Sequence, residues 1–470
     1  MIAIIAALLS AVLFYLSHGL DDVWPLAWIA PAPILWLAYG KTPLWQVIAA
    51  AAFAFLCGQI YAVQCYGDLP PLLIASVLAP VTLLFITSIA FARWVSDKTG
   101  PWATWLAFPA AWTALEFLYE TFAPNGTFGA LAYSQMSAPL LIQSASLFGL
   151  PAITFLLCLF ANTAAMAGHR NLRNPAVLAA GLALVLANVG YGWARLAAPA
   201  GASITVAALD DEDKAHLAFT PGAASVSTMV AETYAQAVRT AAGRGARLIV
   251  TPEAGIGATY VDRAVVLAPL IAAARDTGVD IVVGVYDSVQ PGDLALLLRP
   301  DGSVTQYDKR HLVPFMETEF TPGRQSGWIG GGQAMEICKD MDFPATIRAD
   351  ARQGIHVAAV PAGDFGADAW LHARMAVLRG VENGFAIVRA THRGLLTVSD
   401  AQGRLIARRP VSASGMSMVI ATVPLGPGPT LYTRIGDVFA GLMVIVTMAI
   451  AILAILHRKR GADEDLARPY

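Results

Sequence analysis

The stretch RLIVTPEAG (247–255) joins a short apolar run to a turn that carries proline, glutamate and glycine. An apolar run of this length, bounded by turn residues, predicts a buried strand. Helical periodicity flanks it at 226–243 and 262–277, and further strand patterns lie outward at 203–209 and 280–286. This alternation of strands and helices predicts an α/β layered domain.

The alternation continues towards the carboxyl end of the chain. LALLLRP (294–300), the turn Asp-Gly, and VTQYDK (304–309) predict a β-hairpin. We next predict a strand at 334–338, which ends on Cys338. Two further strands, at 355–360 and 385–390, are joined by a helix at 369–382. A linker at 426–430 precedes the last apolar segment.

The rest of the chain is strongly apolar. Of the 470 residues, 56% are hydrophobic and 14% are charged, whereas soluble proteins average roughly 45–50% and about 25%. This composition excludes an ordinary soluble enzyme, and a net charge of -2 gives no electrostatic reason to expect a nucleic-acid partner. A membrane-spanning helix needs about 20 apolar residues. We predict about eight such helices, near 2–17, 24–40, 44–64, 70–92, 101–119, 140–166, 175–197 and 435–457.

Basic residues are confined to alternate connections between these segments, which predicts the orientation of the chain in the membrane. They are Lys41, Arg93, Lys98, Arg170, Arg173, Arg458, Lys459 and Arg460, whereas the other connections carry Asp21, Asp22, Asp68 and Glu120. We therefore expect both termini in the cytoplasm and the α/β domain on the periplasmic side of a bacterial inner membrane. The predicted division is a membrane domain at 1–197, a catalytic domain at 198–434, a last membrane helix at 435–457 and a cytoplasmic tail at 458–470.

Three chemically reactive side chains follow predicted strands of the α/β domain. Glu253 and Lys309 each lie just beyond a strand, and Cys338 is the one cysteine between residues 198 and 434. Ligand sites in α/β sheets gather at the carboxyl ends of strands. A carboxylate can take the thiol proton, and an ammonium can stabilise an oxyanion. Each residue alone has a structural explanation, as does His311, but the combination favours a nucleophilic site without a metal.

The same residues resemble a known family. The α/β part is similar to the nitrilase, or carbon-nitrogen hydrolase, superfamily, which carries a Glu–Lys–Cys triad on an α-β-β-α sandwich. The whole chain resembles the apolipoprotein N-acyltransferase family, in which this domain lies between seven membrane helices and an eighth. The motifs that carry the resemblance are FGALAYSQ (128–135), YDKRHLVPFME (307–317), RGVENGFAIVRATHRG (379–394) and YTRIGD (432–437).

The resemblance implies a role for each candidate residue. Cys338 would attack a phospholipid acyl ester and form a thioester, and the α-amino group of a diacylglyceryl-cysteine lipoprotein would then take the acyl chain. Glu253 would be the general base, Lys309 would hold the oxyanion, and Glu317 would orient the lysine and the substrate. The resemblance implies no cofactor and no metal ion, and we expect a monomer.

The sequence departs from the family pattern around the nucleophile. Lys339 and Asp340 stand where the family has an aromatic residue and a glutamate. Asp340 keeps a carboxylate, whereas Lys339 adds a charge that we expect to lower the thiol pKa or to compete with Lys309. The segment from Glu317 to Cys338 is also shorter than in typical members. These departures leave three alternatives: a transferase with another amine acceptor, a membrane-tethered amidase in which water resolves the thioester, and a non-catalytic scaffold.

Overall fold

The computed structural model describes residues 1–67, 71–219 and 224–466, with side chains described as far as residue 457. These residues form two compact units. The first comprises Met1–Ala123, Gly129–Leu196 and the chain from Asp437 onward. The second comprises Pro124–Phe128 and Ala197–Gly436. Asp68, which we used for the topology, lies outside the described residues, as do the side chains of residues 458–460.

The first unit is helical. Five helices in the described part of the chain are long and apolar enough to cross a membrane, and two shorter apolar helical segments lie at Ile2–His18 and Trp24–Ala38. The predicted total of eight is therefore not confirmed and stays a prediction. The five long helices are Leu44–Tyr66, Pro71–Ser96, Leu150–Ala167, Pro175–Leu196 and Val438–His457, and the unit also contains Pro101–Phe122 and Ala145–Phe148.

Glycine and proline explain why two apolar segments are shorter than predicted. The segment expected at 140–166 becomes regular only at Leu150, because Gly149 has a φ of 73° and Pro151 occupies the first turn of the helix. The segment expected at 24–40 divides into a 3₁₀ turn, Trp24–Trp28, and a helix, Ala32–Ala38, because prolines interrupt it.

The second unit contains two β-sheets. One sheet has the strand order β13-β1-β2-β4-β5-β6, with β3 paired to β4, and the other has the order β12-β11-β10-β9-β8-β7. The strands are β1 (Ser203–Asp211), β2 (Leu248–Val250), β3 (Ile256–Gly257), β4 (Asp280–Asp287), β5 (Gly292–Leu298), β6 (Val304–Asp308), β7 (Trp328–Gly330), β8 (Gln333–Met335), β9 (Val357–Gly363), β10 (Ala386–His392), β11 (Leu395–Ser399), β12 (Leu405–Pro410) and β13 (Met416–Pro424).

The two sheets face each other with helices on their outer faces. Alternate residues of β1 and β10, such as Val206 and Val388, meet in an apolar layer between the sheets. Helices Ala224–Gly243 and Ala268–Thr277 cover the first sheet, and Pro344–Ala351 and Ala369–Asn383 cover the second. Arg263–Val266 and Leu431–Ile435 are shorter helices. The predicted nitrilase-like α-β-β-α sandwich is confirmed.

The nucleophile does not end a strand, contrary to the prediction. Strand β8 ends at Met335, and Cys338 begins a 3₁₀ turn, Cys338–Asp342. The turn forms because the Asp340 carboxylate accepts a hydrogen bond from the backbone N–H of Ile337 at 3.1 Å. The strand pattern missed this local side-chain contact, and it also missed β11, β12 and β13, which complete both sheets.

Candidate active site

A buried lysine forms the centre of the site. Lys309 follows β6, its side chain is 1% exposed, and its Nζ lies 2.6 Å from Glu253 Oε1 and 2.5 Å from Glu317 Oε1. Asp293 Oδ2 is 3.5 Å from the same nitrogen. The structure therefore brings three of the residues singled out from the sequence into direct contact.

Asp293 is a member of the cluster that the sequence reading missed. The hairpin register pairs Leu294 with Asp308 and Leu298 with Val304, which places Asp293 opposite Lys309, and the Lys309 N–H donates to the Asp293 carbonyl at 3.0 Å. The Asp-Gly turn already predicts that register. Counting residues along the two strands from the turn places Asp293 opposite Lys309. An acidic residue opposite a lysine in an otherwise apolar hairpin is thus the sequence signal for this contact.

The pKa values of Asp293 and Lys309 are both shifted by their surroundings. Burial and the neighbouring Glu253 raise the pKa of Asp293 well above its ordinary value, although Lys309 opposes them. Burial alone would lower the pKa of Lys309, but the three carboxyl groups around it raise that pKa well above its ordinary value. The surroundings therefore favour the charged form of Lys309 and the protonated form of Asp293.

The thiol of Cys338 lies beside the same cluster. Its Sγ is 3.5 Å from the carbonyl oxygen of Gly363, at the end of β9. A Cβ atom built on Gly363 would lie 3.4 Å from Glu253 Oε2, so Gly363 lies beside both the carboxylate and the thiol. Cys338 has a φ of 40°, a left-handed conformation that non-glycine residues adopt mainly at functional sites.

The thiol is protonated at rest. Burial raises the pKa of Cys338 well above its ordinary value, and Glu253 adds to the effect, whereas Lys309 and Arg389 lower it. Because the thiolate is the nucleophile, the thiol proton has to move to a base as the sulfur attacks. Glu253 is the carboxyl group whose charge acts most strongly on this thiol.

Asp340 holds the lysine segment against the nucleophile turn. It is fully buried, and its Oδ1 accepts hydrogen bonds from the backbone N–H groups of Arg310 at 3.2 Å and His311 at 2.9 Å. Its Oδ2 accepts from the Tyr307 hydroxyl at 2.7 Å. His311 also points Nδ1 at Asp340, at 2.9 Å, which gives this histidine a structural role.

Lys339 does not contact the triad. Its Nζ lies 3.1 Å from Asn125 Oδ1 and 3.6 Å from Asp342 Oδ2. The groups that lower the pKa of Cys338 are Lys309 and Arg389, so Lys339 is not the source of the electrostatic effect that we expected of it. Its ammonium instead binds the segment Pro124–Phe128.

A glycine allows that segment to approach the nucleophile turn. Thr127 donates from its backbone N–H and its hydroxyl to the Asp342 carbonyl, at 2.9 and 2.8 Å. Gly126 has a φ of 53°, and a Cβ atom there would lie 2.4 Å from the same carbonyl oxygen. The neighbouring turn therefore tolerates only glycine at this position.

Gly126→Ala is expected to slow the reaction at Cys338 about tenfold and to cost about 1–3 kcal/mol of stability, because the turn that carries Cys338 has to shift. Initial reaction rates and thermal unfolding of the full chain in detergent measure both effects. The matched control is Gly100→Ala, which has open space around its Cβ position. Equal rates for the two variants would contradict this role of Gly126.

Arg389 and Asp364 form a second buried ion pair at the site. Two nitrogens of the Arg389 guanidinium contact the two oxygens of Asp364, one of them at 3.0 Å. Burial alone would raise the pKa of Asp364, but Arg389 and His372 lower it to about 2. A charged residue inside the apolar strand FAIVRA implies a buried partner, and this signal would have revealed the pair.

The Asp364 pair predicts a loss of stability in acid. An unfolded aspartate titrates near 3.9, so the pair contributes about 2 kcal/mol at neutral pH, and this is lost as the pH falls from about 4 through about 2. Asp364→Asn is less stable at pH 7, because Arg389 is left unpaired. Urea unfolding of the full chain measures the free energy of unfolding of the wild type and of Asp364→Asn. The difference between these two free energies should become smaller towards pH 2, and a difference that does not change with pH would contradict the assignment.

The carboxylates around Lys309 are close enough together to hold a cation. Glu253, Asp293 and Glu317 each offer an oxygen within 4.8 Å of the others. The Lys309 ammonium contacts all three of them and thus occupies the position that an ion would take. The arrangement therefore suits acid–base and nucleophilic chemistry.

Comparisons with known proteins match residues in both units of the chain. A family model described as the apolipoprotein N-acyltransferase N-terminal domain matches residues 10–163, and one described as carbon-nitrogen hydrolase matches residues 216–426. The apolipoprotein N-acyltransferase of Geobacter metallireducens is 29% identical over 500 residues, which cover 95% of this chain and 94% of that protein. The chain is similar to apolipoprotein N-acyltransferases over nearly its whole length.

Other similarities extend over different parts of the chain. The apolipoprotein N-acyltransferase of Methylococcus capsulatus is 28% identical over 401 residues, covering 76% of this chain and 77% of that protein. Among solved structures, an amidase from Nesterenkonia sp. is 22% identical with a TM-score of 0.41, covering 51% of this chain and 95% of that chain. The match to the Geobacter protein extends over both units of the chain.

Proposed function

We propose that this chain is a membrane N-acyltransferase that moves a fatty acyl chain from a phospholipid to the N-terminal amine of a lipoprotein, through a thioester on Cys338. The observation that supports it most is the convergence of Glu253, Lys309 and Cys338 at one edge of the sandwich. Lys309 Nζ lies 2.6 Å from Glu253, and Gly363 contacts the thiol. The named relatives are apolipoprotein N-acyltransferases.

The first half of the reaction forms the thioester. Glu253 takes the thiol proton while the Cys338 sulfur bonds to the acyl carbonyl carbon of the phospholipid. Lys309 stabilises the negative charge on the carbonyl oxygen, the kind of interaction that usually contributes most to such a reaction. The ester C–O bond then breaks, and the departing glycerol oxygen takes the proton from Glu253, which releases a lysophospholipid.

The second half transfers the chain to an amine. The α-amino group of the lipoprotein attacks the thioester carbonyl, the C–S bond breaks, and the sulfur regains a proton through Glu253. Lys309 again faces the oxyanion, and Glu317 holds the lysine in place, with its other oxygen anchored by the Val313 N–H at 2.6 Å. Because the acyl group is stored on the enzyme between the steps, the kinetics are ping-pong.

The charge pattern and the apolar helices support a membrane placement. We propose residues 1–197 as the membrane domain, 198–434 as a periplasmic catalytic domain, 435–457 as the last membrane helix and 458–470 as a cytoplasmic tail. Both termini would lie in the cytoplasm of a bacterium, and the protein would act as a monomer. Cysteine accessibility labelling at Ser412 and Lys98 tests the orientation, because only Ser412→Cys should react with an impermeant reagent added from the periplasm.

Acyl transfer to a lipopeptide tests the function. Purified protein, a phospholipid with a labelled acyl chain and a diacylated lipopeptide should yield a triacylated product in the mass spectrum. Hydrolysis of the phospholipid without a third chain on the lipopeptide would favour the amidase alternative. The amidase reading is the weaker one, because the family match includes the N-terminal membrane domain at residues 10–163.

A further inference from the structure

A second pair of titratable side chains lies between the two sheets. Asp210 is near the end of β1, and His392 is the last residue of β10. The Nδ1 of His392 lies 2.5 Å from Asp210 Oδ1, with the histidine side chain 11% exposed and the aspartate fully buried. Glu212 Oε2 is 4.0 Å from the same nitrogen, and the Arg393 N–H holds this carboxylate at 2.8 Å.

The sheet register places this pair next to the nucleophile. His392 pairs with Gly363 on the adjacent strand β9, and Gly363 is the residue whose carbonyl oxygen lies 3.5 Å from Cys338 Sγ. On the other sheet, β1 runs parallel to β2, which leads into Glu253. Neighbouring strands are about 4.8 Å apart. Asp210 and His392 therefore lie roughly one strand spacing from the catalytic residues.

Four atoms of the pair have no hydrogen-bond partner among the described residues. They are Asp210 Oδ1 and Oδ2 and His392 Nδ1 and Nε2, all of them buried, although Nδ1 and Oδ1 lie 2.5 Å apart. A buried polar atom without a partner destabilises a fold, and a bound ligand or water, or a role in a reaction, is a common reason for keeping it. An imidazole whose Nδ1 faces a carboxylate and whose Nε2 is unoccupied is arranged as a proton acceptor.

The mechanism above leaves one proton unassigned. A free α-amino group has a pKa of about 7.7–8.0, so the acceptor amine arrives largely as an ammonium ion near neutral pH. An ammonium has no lone pair and cannot attack a thioester. It needs a base before the attack, and Glu253 carries a different proton, from the attacking amine to the departing sulfur.

We propose that Asp210, Glu212 and His392 form the subsite for the acceptor ammonium, with His392 Nε2 as its proton acceptor. The inference rests on the proposed function and deepens it. His392 takes one proton of the ammonium, and the amine nitrogen bonds to the acyl carbon as the C–S bond breaks. The sulfur leaves with its electron pair and receives a second amine proton through Glu253. One proton remains on the amide nitrogen, and His392 releases the first to water.

The geometry favours an amine over a metal ion, although the three residues offer ligand atoms within 4.8 Å of one another. Two ligand atoms of one ion each lie about 2 Å from it and stay further apart than 2.5 Å, whereas His392 Nδ1 and Asp210 Oδ1 are 2.5 Å apart. Asp210 then positions the ring, and Glu212, whose side chain is 21% exposed, attracts the incoming cation.

The two half-reactions separate this role from the chemistry of the triad. The acyl-enzyme is first formed with a fluorescent phospholipid, and a diacylated lipopeptide is then added in a single turnover. His392→Ala should slow the second step about 10²-fold and leave thioester formation within about twofold of the wild-type rate. Asp210→Asn should slow the same step about tenfold. His216→Ala, which removes an exposed histidine of the same domain, should change neither step.

A small nucleophile distinguishes a proton-acceptor role of His392 from a structural role. Hydroxylamine is uncharged near neutral pH, so it should release the acyl chain from His392→Ala as fast as from the wild type. Equal slowing of both half-reactions, or equal slowing with hydroxylamine and lipopeptide, would overturn the proposal. A stoichiometric metal in the purified protein, with transfer lost on chelation, would also overturn it. Failure of the wild type to form a thioester would instead refute the proposed function.

Discussion

Cys338→Ala is expected to abolish acyl transfer, with the rate falling by at least about 10³-fold. Without the sulfur no thioester forms, and direct attack of an amine on a phospholipid ester keeps only the contribution of binding and oxyanion stabilisation. The variant should fold, because the residue is only partly buried and loses a single sulfur atom. Transfer of labelled acyl chain to a lipopeptide measures the loss.

The control for this variant is Cys57→Ala, which removes another partly buried free cysteine from the first unit. It should keep the wild-type rate. Cys338→Ser should also be inactive, since the hydroxyl is a far weaker nucleophile without a strong adjacent base. Residual transfer by Cys338→Ala above about one hundredth of the wild-type rate would show that the acyl chain reaches the acceptor by another route.

Lys309→Met is expected to reduce transfer by about 10²–10³-fold, because the oxyanion loses its positive partner. The same change should destabilise the catalytic domain by about 3–5 kcal/mol, since it leaves buried carboxylates without a counter-charge. Thermal unfolding and single-turnover thioester formation measure the two effects separately. Arg239→Gln, which breaks a more exposed ion pair with Asp276, should cost no more than about 1 kcal/mol.

A double variant separates catalysis from stability at Lys309. Adding Glu317→Gln to Lys309→Met removes one of the uncompensated carboxylates, which should restore part of the lost stability. Activity should remain low, because the double variant still has no cation at the oxyanion. Recovery of transfer along with stability would mean that Lys309 serves the fold and not the reaction.

The sequence predicted the residues that carry charge or nucleophilicity at strand ends, and missed those that work through side-chain contacts. Glu253, Lys309 and Cys338 follow strand or turn signals that can be read locally. Asp293 belongs to the site only through the hairpin register, and Arg389 only through its pairing with Asp364. In a sequence, such residues appear as isolated charges within apolar strands. A single sequence does not show which residue pairs with each of them.

The unusual residue after the nucleophile illustrates the same limit. A lysine next to a reactive cysteine suggests an electrostatic role, because sequence proximity implies spatial proximity. The 3₁₀ turn that begins at Cys338 directs the Lys339 ammonium to Asn125 and Asp342. Asn125 is 214 residues away in the chain, so no local pattern could predict the contact.

The decisive measurement is the mass of the tryptic peptide that contains Cys338, residues 325–339. The protein is first incubated with phospholipid in the absence of an acceptor. The expected result is a mass increase of one acyl chain, which neutral hydroxylamine removes and which is absent in Cys338→Ala. An unmodified peptide while lysophospholipid accumulates, or an acyl chain attached to any other residue, would contradict a thioester at Cys338.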